Sequence, residues 1–91
     1  ISVPGHSPGS VAVHVPSLGA LFVGDAMTTR HVLTGAVGPQ PAPFTLDPRR
    51  ALESLVRLES LEVSWVLPGH GPPWSGGIGE AVRRIRAVAG A

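Results

Sequence analysis

Three short loops, Gly5-His6-Ser7-Pro8-Gly9, Gly24-Asp25-Ala26 and Pro68-Gly69-His70-Gly71, each set one metal-competent side chain on a glycine-flanked turn beside an apolar, strand-like run. Glycine permits tight turns and close backbone approach, proline fixes the direction of entry, and the His or Asp is left at the end of a strand. Such a chain must fold so that strand ends carry its chemistry. Imidazole and carboxylate suit zinc in hydrolytic sites, so the pattern points to a reaction more than to packing.

The segments between these loops carry the elements. Ser10 to Val15 alternates, with Val11, Val13 and Val15 on one face and Ala12 and His14 on the other, which is the period of a strand. Pro16-Ser17-Leu18-Gly19 supplies turn chemistry, and Ala20 to Val23 forms a second apolar run. Paired as an antiparallel hairpin, the two runs bring His6 close to Asp25. Ala26 to Thr45 shows no periodicity and contains Gly35, Gly38, Pro39, Pro41 and Pro43, so it reads as a long loop, a wall or lid of the site. Asp47-Pro48 starts a helix, the carboxylate capping free N–H groups and the proline suiting the first helical position. Leu52, Leu55, Leu58 and Leu61, widened by Ala51 and Val56, form its apolar stripe, with Arg49, Glu53, Arg57 and Glu59 towards water. Leu61, Val63, Trp65 and Leu67 then alternate as a strand ending at Pro68. A terminal helix has Ile78, Ala81, Val82, Ile85, Val88 and Ala89 inside and a Glu80–Arg84 pair outside. The order strand-strand-helix-strand-helix predicts an α/β unit, one sheet covered by helices on one side.

At 91 residues the chain builds one core at most, and 12 Gly with 10 Pro make it rich in turns. The seven basic residues, all arginines, are scattered among acids, which argues against a nucleic-acid partner. No apolar run approaches the roughly 20 residues of a membrane helix, and the expected location is the cytoplasm. The absence of cysteine excludes disulfides and Cys-based zinc sites. No Gly-x-Ser-x-Gly elbow surrounds Ser7, Ser10 or Ser75, so serine catalysis is rejected. His14 reads as a half-exposed sheet residue and His31 as a loop residue without a companion. Trp74, beside Pro72-Pro73, reads as a plug over the sheet edge, and the glycines before the last helix are a weak anion signal.

The order His6, Asp25, His70, within GHSPGS, LFVGDA and VLPGHG, resembles the metallo-β-lactamase superfamily, and resembles only its C-terminal half. The family's first motif, His-x-His-x-Asp-His, is absent, because no two of His6, His14, His31 and His70 stand two residues apart. With Ile1 in first place, residues 1–91 are therefore expected to be a partial domain, the C-terminal half of a four-layer αββα sandwich. The resemblance implies metal ligands at His6, the third imidazole of a first metal, at Asp25, bridging two metals, and at His70, on the second. It implies two zinc ions per complete domain, with iron or manganese as alternatives. Asp25 stands where many two-zinc β-lactamases carry Cys, which moves the likeness towards glyoxalase II-like and lactonase-like hydrolases. The implied reaction is attack on a small-molecule ester, thioester or lactone by a metal-bound hydroxide. Three ligands cannot complete two sites, so the chain alone is expected to be inactive. Without the missing half, one sheet face is expected to lie bare, leaving the chain marginal or self-associating. The rival expectations are a non-catalytic metal-binding or redox module of flavodiiron type, and a structural, partner-binding domain.

Overall fold

The computed structural model describes residues 1–89. Its elements are β1 (Val13–Val15), a 3-10 turn (Pro16–Leu18), β2 (Ala20–Gly24), β3 (Thr28–Arg30), β4 (Val37–Gln40), α1 (Pro48–Leu58), β5 (Trp65–Pro68) and α2 (Ile78–Ala89). β1 and β2 form the expected antiparallel hairpin, with Val13 opposite Phe22, His14 opposite Leu21 and Val15 opposite Ala20. Gly19, at φ 59°, lets the 3-10 turn reverse into β2. β5 runs parallel to β2 on its other side, giving the sheet order β1-β2-β5.

α1 begins as its residues dictate. The Asp47 side chain accepts a hydrogen bond from Arg50 N at 3.1 Å, and Pro48 occupies the first turn, where its missing N–H costs nothing. Leu55 and Leu58 are buried on the inner face, while Leu52, Val56 and Leu61 pack at its margin. α2 buries Ile78, Ala81, Val82 and Ile85. Both helices lie against the face of the sheet that carries Leu21, Val23 and Val66, and together these residues make the core with Val3, Ala12 and Met27. Trp74 does plug this layer: it exchanges main-chain bonds with Val66 and lies under the Arg84 guanidinium, 4.8 Å from the ring centre.

Several expectations need correction. The segment 26–45 is not a structureless loop but contains the β3–β4 hairpin, with Thr28 opposite Gln40 and Arg30 opposite Val37. Its strands lack apolar alternation, and Gly38 and Pro39 sit inside β4, which an isolated two-stranded ribbon tolerates because both strands are edges. β1 and β5 are shorter than the alternating runs: β1 starts at Val13, and Leu61 and Val63 precede β5 and fill the rim of the core. Val88 is exposed, not inner, and the side chain of Ala89 lies outside the described residues.

The second sheet face is bare. Residues directly opposite across the ladder share a face, so Val13, Phe22 and Leu67 lie together, as do Val15, Ala20 and Trp65. Val11, Val13, Phe22 and Trp65 are 44–59% exposed there, as expected of a sheet covered by helices on one side only.

Candidate functional site

Topology brings the three loops to one edge. β2 and β5 are parallel neighbours, so Asp25 after β2 and the His70 turn after β5 leave the same end of the sheet. β1 is antiparallel to β2, so the loop that precedes it, with His6, approaches that end as well. Ligand sites in open sheets gather beyond the carboxyl ends of parallel strands for this reason.

His70 Nδ1 lies 3.0 Å from Asp25 Oδ1, a hydrogen bond, while His6 Nε2 lies 3.9 Å from Asp25 Oδ2, beyond hydrogen-bond range. Asp25 is thus the shared partner of both imidazoles. The side chains are 24% (His6), 45% (Asp25) and 59% (His70) exposed, and all three line one open cavity of about 250 Å³. Thr28, Val32, Ala42, Pro43 and Phe44 complete its wall. Segment 26–45 therefore does wall the site, although from a hairpin and the turn after it. Among the described residues, no three His, Cys, Asp or Glu side chains gather closely enough to hold a metal ion by themselves.

The main chain under each side chain is tightly tied. Gly5 O accepts from Asp47 N at 2.9 Å and His6 O from Leu46 N at 3.3 Å, so the first loop runs alongside the entry to α1. Gly5, at φ 141°, lies against the backbone of Ala51, where no Cβ fits. Gly69 N donates to Gly24 O at 2.8 Å, stitching the second and third loops together. The His70 carbonyl accepts from Thr29 N at 3.2 Å and lies 2.9 Å from the Thr28 hydroxyl. Gly71, at φ 95°, packs on Thr29 and Arg30.

Three residues that pattern reading passed over emerge here. Thr28 and Thr29, both buried, anchor the His70 turn, and the Thr45 hydroxyl lies 3.1 Å from His6 Nδ1. Two adjacent β-branched residues just after Asp25 were a strand signal, but a single pair is too short to show a period. The two other histidines stay outside the site. His31 Nδ1 accepts from Leu33 N and Thr34 N, closing the β3–β4 turn. His14 is half-buried on the helix-covered side, with its Nε2 buried and unpartnered.

Beside the site cavity, and sharing Ala42 and Phe44 with it, runs an apolar groove of about 410 Å³ between the 41–45 segment and the two helices. Among the described residues, none that line it is charged.

Comparison with known proteins gives one answer. The sequence pattern of the Metallo-beta-lactamase superfamily matches residues 1–70. The chain is 35% identical over 85 residues to the probable metallo-hydrolase YflN of Bacillus subtilis (strain 168), covering 84% of this chain and 32% of that protein. Among solved structures, it resembles the metallo-beta-lactamase family protein TTHA1429 of Thermus thermophilus, with a TM-score of 0.69 and 24% identity, over 97% of this chain and 28% of that one. It also resembles TTHA1623, solved in a di-iron-bound form, with a TM-score of 0.59 and 38% identity, over 91% of this chain and 38% of that one. The chain thus spans about a third of the length of these relatives. With its α/β fold, its three loops and these matches in agreement, the chain belongs to the metallo-β-lactamase superfamily.

Proposed function

We propose that the protein carrying this chain is a metal-dependent hydrolase in which His6, Asp25 and His70 supply part of the metal centre. The observation that supports this best is the arrangement about Asp25, whose two carboxylate oxygens face two different imidazoles. The donor set fits a cation. His6 Nε2 and Asp25 Oδ2 are too far apart to hydrogen-bond, yet an ion bound to both at ordinary zinc–nitrogen and zinc–oxygen lengths of roughly 2.0–2.2 Å spans such a gap. Carboxylates and imidazoles also suit iron, the metal found in the TTHA1623 structure, so zinc is our first assignment and iron its direct alternative. Among the described residues these three donors do not by themselves form a metal-holding group, so a complete centre would need further ligands.

A metal bound at this rim supplies a Lewis acid that activates water and polarises a carbonyl. The chain's own residues do the rest. Asp25 turns one oxygen towards each histidine, so it would serve as a shared ligand if one cation were held by His6 and another by His70. Gly69 and Gly71 let the His70 turn approach Asp25 and β3 without a Cβ in the way. Phe44 and Pro43 cover the site from the side, and the uncharged groove beyond Phe44 favours an ester, thioester or lactone with an apolar acyl part over a charged one.

Metal analysis of the intact protein, paired with hydrolysis assays on those three substrate classes, tests the reading. His70→Ala is expected to lose one metal equivalent and to lower kcat/KM at least about a hundredfold. Unchanged metal content in that variant contradicts the assignment.

A further inference from the structure

The 42–47 segment turns through a strained residue. Phe44 adopts φ 59°, the left-handed region that costs a non-glycine residue about 1 kcal/mol or more. What holds it there is the pairing of the next residues with the first loop, through Leu46 N to His6 O and Asp47 N to Gly5 O. The outcome is that Thr45 stands beside the His6 ring. Its Oγ1 is 2.8 Å from the Ala42 carbonyl and 3.1 Å from His6 Nδ1.

A hydroxyl has one proton, and the carbonyl can only accept. With that proton directed to Ala42 O, the Thr45 oxygen offers a lone pair to His6, and only an N–H at Nδ1 satisfies it. A neutral imidazole carries a single N–H, so Nε2 is then unprotonated. It lies 3.9 Å from Asp25 Oδ2, too far for a hydrogen bond, and a cation between the two acceptors would stabilise both.

We infer that Thr45 is a positioning residue: its hydroxyl, held by the Ala42 carbonyl, keeps His6 in the Nδ1–H tautomer and presents the bare Nε2 to the metal. This rests on the reading above that His6 binds through Nε2, and it assigns a role to a residue 39 positions away in sequence. A hydrogen-bonded partner on the second ring nitrogen fixes both the tautomer and the orientation of a ligating histidine.

The test uses Thr45→Val, which keeps the branched shape and removes the hydroxyl, and Thr45→Ser, which restores it. In metal-free intact protein, nitrogen-15 correlation spectra report the His6 tautomer directly. Zinc affinity is measured separately by chelator competition. Wild type and T45S are expected to show Nδ1–H, and T45V to lose that preference. Zinc affinity should fall about 10–100-fold in T45V and stay within about threefold in T45S. An Nε2–H tautomer in wild type, a T45V protein with unchanged tautomer and affinity, or a T45S protein as impaired as T45V would each overturn the inference. A wild-type protein that shows the tautomer, loses it in T45V, yet takes up neither zinc nor iron supports the tether and overturns the metal-site reading instead.

Discussion

Gly69 and Gly5 do different work at the same rim. A Cβ on Gly69 would sit 2.9 Å from Asp25 Oδ1, while its backbone needs no left-handed conformation. Gly69→Ala should therefore leave stability within about 1 kcal/mol but displace the carboxylate and weaken zinc binding at least about tenfold. Gly5 has φ 141° and abuts the Ala51 backbone, so Gly5→Ala strains the chain itself and should cost more than about 2 kcal/mol. Denaturant unfolding and zinc titration of both variants check this, and equal losses of stability would refute the division. That these glycines mark tight turns was legible in the sequence, as were His6, Asp25 and His70 as residues of one rim. What each glycine touches was not, because Ala51 is 46 residues from Gly5 and Asp25 is 44 from Gly69, and local pattern carries no distance information. Thr45 was hidden for the same reason.

At the level of elements, α1 is both core and scaffold. Its apolar stripe packs on the sheet, its cap at Asp47 also bonds Gly5 O, and the buried Ser54 hydroxyl donates to Pro4 O at 2.7 Å. The helix thereby carries the first loop on its N-terminal half. Ser54→Ala leaves that buried carbonyl without its partner and should cost about 1–3 kcal/mol, read as a shift in the urea midpoint with an unchanged slope. No change in midpoint would mean that water replaces the bond. The cap, the leucine stripe and the β1–β2 hairpin were all readable because local chemistry and periodicity agree there. β3 and β4 were not, since three or four residues interrupted by Gly38 and Pro39 hold no period, and what ties β3 to the site is the bonding of Thr28 and Thr29 to the carbonyls of His70 and Pro72, which lie over 40 positions away.

For the whole molecule, one architectural fact dominates: a three-stranded sheet with both helices on one face and Val11, Val13, Phe22 and Trp65 open on the other. The chain spans about a third of its relatives, and the same sheet that presents the bare face also gathers His6, Asp25 and His70 at its edge. We propose that His6, Asp25 and His70 hold metal jointly. Anomalous diffraction from crystals of the intact, zinc-loaded protein tests it most directly. An anomalous peak is expected at ordinary zinc–ligand distance, roughly 2.0–2.2 Å, from both His6 Nε2 and an Asp25 oxygen; zinc bound in the protein but with no peak touching any of the three residues would refute the assignment.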